Sequence, residues 1–144
     1  MYLKQTELFW GLNQNFIQSA TAIATRESFD KDDCVFKANE PAIRFYVLIR
    51  GKIKLALPET EQVVYRSDCV GEIFGWSALL DRKTYSVSGF CEEPSVVLVY
   101  DQLRFRRLLE KDTESARIFF RQLACELGER LLSCYQLVGQ PVSI

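Results

Sequence analysis

The sequence predicts a single mainly β domain, a sandwich or roll of antiparallel strands with helices at both ends of the chain. Between residues 28 and 100, short apolar runs recur about every eight to twelve residues and turn-forming residues separate them. Before residue 24 and after residue 101, the apolar spacing is helical instead. The chain has 144 residues and is 48% apolar, so it has room for one hydrophobic core.

The first 24 residues have the spacing of two short amphipathic helices. We expect these helices at residues 3–12 and 15–24, with a break near Gly11. Their apolar face has members three or four residues apart: Leu8, Phe9, Leu12, Phe16, Ile17, Ala20 and Ile23.

The central region predicts six strands joined by polar turns. The strands are expected at residues 34–37, 44–50, 52–57, 62–66, 85–91 and 96–100, and residues 28–33 are rich in turn formers. In the third strand, Ile53 and Leu55 alternate with Lys52 and Lys54, which is typical of a half-buried strand. The strand at 44–50 is apolar on both sides, so we expect it to be covered on both faces or to lie near a dimer contact.

The carboxy-terminal region predicts two capped helices. Asp101 is expected to cap a helix over residues 102–110, and Asp112 a helix from residue 113 to about 138. A heptad seam interrupted by Arg130 runs along the second helix: Ala116, Phe120, Leu123, Leu127, Cys134 and Leu137. At ~26 residues, or ~39 Å, this helix is longer than so small a domain covers, which favours a dimer helix. The alternative is that the seam lies against its own domain.

Charge and residue usage exclude several classes of protein. The 18 basic and 19 acidic residues are mixed along the chain and give a net charge of −1, so no basic stripe suggests direct nucleic-acid binding. The chain has no histidine, which excludes hydrolytic triads and Cys-His dyads. No other nucleophile–base pair is evident, and we expect a protein that is not an enzyme.

The cysteines and the amino-terminal residues give further expectations. Cys34, Cys69, Cys91, Cys125 and Cys134 do not have metal-ligand spacing, so we expect no metal site and buried reduced thiols. The first residues lack the apolar core of a signal peptide, and no apolar run reaches membrane length. These observations predict a cytoplasmic protein without membrane contact.

One segment, residues 69–88, interrupts the strand pattern with a glycine turn. Gly71 and Gly75 bracket three residues, and a run long enough for one or two helical turns follows from Trp76 to Leu80. A glycine turn that opens into a helix presents free backbone N–H groups to an anion. We therefore expect Gly75 and the N–H groups of Ser77 and Ala78 to form an anion cradle.

This segment resembles the phosphate-binding cassette of cyclic-nucleotide-binding domains in the catabolite activator protein (Crp/Fnr) family and in the regulatory subunits of protein kinase A. Phe74, Gly75, Ala78, Leu79 and Leu80 match the family pattern. Two anchors differ: Trp76 stands where the family has a glutamate that holds the ribose hydroxyl, and Tyr85 where it has an arginine that pairs with the cyclic phosphate.

The resemblance covers nearly the whole chain and implies a fold. This fold is a double-stranded β-helix, or jelly-roll-like β-roll, in a single domain over residues 1–144. Residues 1–24 would be the first helices, 28–100 the β-roll and 101–138 the last helices. In the family, the long last helix pairs two subunits and closes over the ligand. The family's transcription factors continue into a winged helix-turn-helix, and we expect no DNA-binding domain here.

The resemblance and the residue chemistry together give a candidate ligand site. Its cassette members are Gly71, Glu72, Phe74, Gly75, Trp76, Ser77, Ala78, Arg82, Lys83, Tyr85 and Ser86, and Arg130 joins them from the long helix. Arg82 and Lys83 either replace the missing arginine or are solvated loop charges. Trp76 either fills the pocket or stacks on a flat ligand, since an indole nitrogen only donates.

Two further candidates have their own alternatives. Arg130 either contacts a ligand across the dimer or pairs with Glu126 one turn back. Glu72 is expected to accept backbone N–H groups in the glycine turn rather than to act in catalysis.

The leading hypothesis is a homodimeric sensor or regulatory module without catalytic activity. The ligand would be cyclic AMP or cyclic GMP bound weakly, or another anionic small molecule, and the signal would pass through the dimer helix to an unknown downstream protein. The alternatives are a ligand-free dimerisation or interaction module, and the sensor half of a Crp/Fnr-type transcription regulator.

Overall fold

The computed structural model describes residues 9–139, in which one α-helix precedes eight β-strands and two α-helices follow them. The strands are β1 (Thr25–Phe29), β2 (Cys34–Phe36), β3 (Arg44–Arg50), β4 (Ile53–Ala56), β5 (Val63–Ser67), β6 (Ile73–Phe74), β7 (Ser88–Cys91) and β8 (Ser95–Asp101). The helices are α1 (Gln14–Ile23), α2 (Gln102–Lys111) and α3 (Thr113–Val138), with a 3₁₀ helix (Trp76–Leu79) between β6 and β7.

The strands form two four-stranded antiparallel sheets, in the orders β1-β8-β3-β6 and β2-β7-β4-β5. The sheets pack against each other, and the rings of Phe36 in one and Tyr46 in the other are stacked 5.6 Å apart. In β3, the five residues between Arg44 and Arg50 are all buried, as expected for a strand covered on both faces. The mainly β fold class and the roll of antiparallel strands are confirmed.

Each α-helix begins at a side-chain cap. Asn13 accepts the backbone N–H of Phe16 at 2.8 Å and caps α1. Asp101 and Asp112 accept backbone N–H groups of α2 and α3, both at 3.0 Å. The two aspartate caps predicted from the sequence are therefore confirmed.

The structure corrects two predicted elements near the first helices. Residues 25–29, partly assigned to a turn, form β1, which pairs with β8 along its whole length. Four of its five residues are exposed, so no alternation of apolar and polar residues marks it in the sequence. The predicted helix at residues 3–12 lies mostly outside the described residues, and residues 9–12 form a turn in which Gly11 has a φ of +84°.

Two other expectations were also wrong. The strand predicted at residues 85–91 begins only at Ser88, because the backbone N–H of Tyr85 donates to Glu40 in a loop contact. The cysteines were expected to be buried, but only Cys91 is buried and Cys134 is half-buried, while the others are exposed. All five thiols are free.

Helices α2 and α3, together with Phe9 from the turn before α1, pack on β3 and β8 through an aromatic cluster. Its members are fully buried: Phe9, Phe45, Tyr100, Phe105 and Phe119. Phe45 stacks on Tyr100 at 4.7 Å, and Phe105 contacts both Phe45 at 4.9 Å and Phe119 at 5.0 Å between ring centroids. The cluster fixes the start of α3 on the roll, and so it sets the direction in which the rest of that helix runs. None of the helices within residues 9–139 has the length and apolar character needed to cross a membrane.

Candidate functional site

The cassette turn depends on glycine at residue 75. Gly75 has a φ of +70°, in the left-handed region, and it precedes the 3₁₀ helix. A Cβ at this position would lie 3.2 Å from the carbonyl oxygen of Arg44 and from the rings of Tyr46 and Tyr85. Both the backbone conformation and the close packing therefore require glycine. The turn places Trp76 and Ser77 beside the space between the cassette and α3.

Tyr85, at the family's arginine position, is held by β3. Its hydroxyl donates to the carbonyl oxygen of Arg44 at 2.7 Å and accepts the N–H of the same residue at 3.2 Å. Its ring is 5% exposed and lies 4.9 Å from that of Phe36. Burial raises the pKa of Tyr85, so it stays neutral. The phenol thus provides a wall of the site but no charge for an anion.

A cavity of about 410 Å³ lies between the cassette and α3. Six of the predicted site residues line it: Gly75, Trp76, Ser77, Tyr85, Ser86 and Arg130. Trp76 is half-buried on its wall, so neither this indole nor Tyr85 fills the space. The volume is in the range of about 300–1,000 Å³ that is usual for small-molecule sites.

The other predicted site residues do not line this cavity. Gly71 donates its backbone N–H to Leu48 at 2.8 Å and supports the turn from behind. Phe74 is buried in the core. Arg82 and Lys83 are exposed on the loop after the 3₁₀ helix and are not among the lining residues.

The expected anion cradle is only partly available. The backbone N–H of Ala78 donates to the carbonyl oxygen of Gly75 at 3.2 Å, which closes the 3₁₀ turn. That donor is therefore used within the turn and is not free for an anion.

Arg130 connects α3 to the cassette strand. Its side chain is 9% exposed, and its Nη2 donates to the carbonyl oxygen of Ile73 in β6. Glu126, one turn earlier, accepts the backbone N–H of Ile73 at 3.1 Å and lies 3.6 Å from Arg130. Both backbone groups of one β6 residue are thus bound by α3. The sequence analysis gave Arg130 two alternative roles, contact with a ligand across the dimer or pairing with Glu126, and the pairing is present in the structure. The side chain also lines the cavity of its own chain.

A half-buried carboxyl group adjoins this contact. Glu72 accepts a hydrogen bond from the hydroxyl of Tyr65 at 2.8 Å, rather than from backbone N–H groups as expected. Burial raises the pKa of Glu72, and the hydrogen bond from Tyr65 and the charge of Arg130 oppose that shift. Burial, followed by the bond to Glu72, raises the pKa of Tyr65 to about 12. The guanidinium of Arg130 lies 4.9 Å from the centre of the Tyr65 ring, within cation–π distance.

The heptad seam of α3 does not lie on one surface. Leu123 is buried against its own domain, and Leu127 and Cys134 are half-buried and line the cavity. Two seam members, Phe120 and Leu137, are exposed. The other exposed large apolar residues of α3 are Leu131, Leu132, Tyr135 and Val138. Of these, Leu131, Tyr135 and Val138 follow one side of the helix, about a quarter of a turn from Leu123. The sequence analysis therefore assigned covered and exposed residues of α3 to one seam. An apolar spacing of 3.5 residues occurs both in a helix packed on its own domain and in a coiled coil, so the spacing does not separate the two cases.

The sequence did not identify Tyr65 or Ile73 as parts of the site. Tyr65 occurs in a predicted strand, and nothing in its spacing connects it with Glu72. Ile73 takes part through its backbone, which no side-chain motif reveals.

Comparison with known protein families assigns the fold. The family model for the cyclic nucleotide-binding domain matches residues 26–112, more than half of the chain. The chain belongs to this family. The matched range includes the cassette and all of the β-roll except the first residue of β1, so the resemblance inferred from the cassette is confirmed.

The chain is similar to several known proteins and solved structures. The rice potassium channel KAT1 is 25% identical over 96% of the chain, which spans about a fifth (21%) of the channel's length. A cyclic nucleotide-binding domain from Methylobacillus flagellatus superposes with a TM-score of 0.81 at 15% identity, covering 99% of this chain and 83% of that one. The sensor domain of the transcriptional regulator DNR of Pseudomonas aeruginosa has a TM-score of 0.74 at 25% identity, covering 90% and 89%.

Proposed function

We propose that this cyclic nucleotide-binding domain is a non-catalytic sensor or regulatory module, which binds a small ligand between the cassette and α3. The observation that carries the proposal is that cassette residues and α3 residues line one cavity. A ligand between Trp76 and Leu127 would touch both elements, so its binding energy would depend on how α3 lies against the roll. Domains of this family are typically non-enzymatic.

The ligand is expected to be bound weakly if it is cyclic AMP. The family's phosphate-binding arginine is replaced by Tyr85, whose hydroxyl is already bonded to β3. Losing a charge-assisted pair with phosphate removes about 1.5–3 kcal/mol, or roughly one to two powers of ten in affinity. The indole of Trp76 only donates, so it cannot accept a hydrogen bond from a ribose hydroxyl as a glutamate would. Cyclic AMP or cyclic GMP bound weakly, or another anionic small molecule, fits these replacements.

The exposed face of α3 supports a homodimer as the signalling form. Leu131, Tyr135 and Val138 are 51%, 59% and 86% exposed, and they extend along one side of the helix. A second copy of the helix would cover this face, and the covered residues would lie next to the cavity wall because Leu131 also lines the cavity. In this proposal, residues 1–144 act as one domain and a downstream protein reads the dimer, with no direct nucleic-acid contact by these residues.

A thermal-shift screen against cyclic AMP, cyclic GMP, cyclic dinucleotides and simple anions tests ligand binding. A ligand at a hundred times its dissociation constant adds about 2.7 kcal/mol, which gives a shift of several degrees in a domain of this size. Tight, stoichiometric binding of cyclic AMP would contradict the weak binding proposed here.

Light scattering after size exclusion tests the dimer. Tyr135→Glu places a charge on the exposed face of α3 and is expected to give a monomer. Ser133→Glu adds the same charge on another exposed face and serves as the matched control. A monomeric parent chain would remove the dimer from the proposal.

The second candidate is an interaction module that binds no small molecule, favoured by the replacement of both anchors. The double variant Trp76→Glu with Tyr85→Arg restores the family residues and is expected to gain cyclic AMP binding if their loss alone abolished it. The likeness to the DNR sensor domain favours a third role, the sensor half of a transcription regulator.

A further inference from the structure

The wall of the cavity between the cassette and α3 is mostly apolar. The rings of Phe36 and Trp76 lie on it, and the exposed side chain of Leu80 shows that the cavity reaches the protein surface. Contiguous apolar surface of this kind marks a ligand-binding groove or an interaction site. Aliphatic side chains extend the wall from β4, β5, the segment before β7 and α3: Leu55, Val64, Val87, Leu127 and Leu131.

The charge of Arg130 is not available to a ligand in this cavity. Among the described residues of the wall, Arg130 is the only charged one. Its Nη2 donates to the carbonyl oxygen of Ile73 and lies 3.6 Å from the carboxylate of Glu126. Its Nε and Nη1 are buried, so they do not face the cavity. An anion there would find no free donor on this guanidinium, whose charge Glu126 already offsets.

The phenol hydroxyls on the wall are also bonded to the protein. The hydroxyl of Tyr85 bonds to both backbone groups of Arg44, and the hydroxyl of Tyr65 donates to Glu72 at 2.8 Å. These two residues therefore present their rings to the cavity. Burying an ion without a partner costs far more free energy than burying an apolar group. The wall therefore favours a molecule without charge.

We propose that the cavity binds an uncharged, predominantly apolar small molecule, packed between the ring of Trp76 and the aliphatic side chains of α3. This inference rests on the proposed function for a ligand at this site, and it replaces the anion considered there with a neutral molecule. The family resemblance implies a phosphate held by an arginine at the position of Tyr85. Here the affinity would instead increase with the apolar area buried, by about fourfold for each methylene group.

A matched pair of fluorescent probes tests the charge of the ligand. Anilinonaphthalene is uncharged, and anilinonaphthalene sulfonate of the same ring isomer differs from it only by the anionic group. Both probes become brighter in apolar surroundings. Titration of the parent chain is expected to show the uncharged probe binding about tenfold or more tightly, because the sulfonate would leave water without gaining a partner. Equal affinities, tighter binding of the sulfonate, or no binding of either probe would overturn the inference.

The location of the probe is tested by filling the cavity. Val87→Trp adds a large side chain on the wall and is expected to weaken binding of the uncharged probe by about tenfold or more. Val70→Trp makes the same substitution at a residue that is 56% exposed and does not line the cavity, so it should leave the affinity unchanged. Equal affinities in the two variants would overturn the inference, provided that both unfold cooperatively on heating.

The exposed face of α3 is the other apolar surface on which the probe would bind. Tyr135→Glu places a charge on that face and not on the cavity wall, so the affinity for the uncharged probe should stay the same. Loss of binding in this variant would place the probe on the exposed face and overturn the inference, even if Val87→Trp did not fold.

The outcomes separate this inference from the proposed function. A chain that responds to cyclic AMP in the thermal-shift screen but prefers the sulfonate probe would keep the sensor function and lose only the ligand class proposed here. A chain that binds the uncharged probe in the cavity and responds to no cyclic nucleotide or simple anion would support the inference. A chain that binds none of these molecules would lose both.

Discussion

Two aromatic regions of this domain differ in how completely they are packed. In the aromatic cluster under the helices, the rings of Phe45 and Phe105 are fully buried and their centroids lie 4.9 Å apart. At the cassette, the rings of Trp76, Tyr65 and Phe36 surround a cavity of about 410 Å³. The same residue type thus fills space in one region and encloses it in the other.

This difference indicates that the aromatic cluster contributes mainly to stability, whereas the cavity region has room for a ligand. Protein interiors are close-packed, and rings that line a void lose dispersion contacts that rings in a filled core retain. The aromatic cluster therefore contributes more to the free energy of unfolding than an equal number of rings around the cavity. The cavity region is less well packed, and a ligand there would restore the missing contacts.

The largest expected effect comes from truncating the aromatic cluster. Phe105→Ala removes a ring that contacts Phe9, Phe45 and Phe119 and leaves a space that the surrounding rings only partly close. We expect a loss of about 3–5 kcal/mol in the free energy of unfolding, measured by chemical denaturation. Leu103→Ala lies on the same helix but is 56% exposed, and it should cost about 0.5 kcal/mol or less. Equal losses in the two variants would contradict the packing difference.

How far the sequence predicted these regions depends on whether side chains or backbone carried the information. The caps at Asp101 and Asp112 and the strand at residues 44–50 follow from local chemistry, and the structure has them where the sequence placed them. Strand β1 was missed because exposed residues without alternation leave no periodic signal.

The candidate site was predicted only in part, for a physical reason. Gly75 was recognisable because the turn requires a positive φ. The contact of α3 with Ile73 involves backbone groups far apart in the chain, and no spacing rule relates Glu126 and Arg130 to that strand. The seam of α3 predicted an apolar face correctly but not which surface covers it.

Substituting alanine at two glycines is expected to have smaller effects on stability, and the two effects have opposite signs. Gly75→Ala introduces a Cβ at a φ of +70° and 3.2 Å from three neighbouring atoms, so we expect a loss of about 1–2 kcal/mol. Gly128 lies within α3, where an added Cβ meets nothing within 4 Å, and Gly128→Ala should gain about 1 kcal/mol through helix propensity. Thermal unfolding of dilute protein measures both changes. A stabilised Gly75→Ala variant would show that the cassette turn relaxes without strain.

The smallest effect concerns Glu72, which accepts a hydrogen bond from Tyr65 on the cavity wall. Because burial raises its pKa above the ordinary value of 4.5, the folded state binds the proton more tightly than the unfolded state does. Its contribution to stability is therefore greatest at low pH and decreases as the pH rises from about 4.5 through the folded pKa. Glu72→Gln keeps the oxygen that accepts the hydroxyl of Tyr65 but does not ionise.

We therefore expect Glu72→Gln to be more stable than the parent chain near pH 7, by about 1 kcal/mol or less, and equally stable below about pH 4. Denaturation midpoints measured across this pH range give the comparison, and Glu93→Gln in the exposed turn before β8 is the control. A variant that is less stable near pH 7 would mean that the attraction between Glu72 and Arg130 outweighs the burial of the carboxylate.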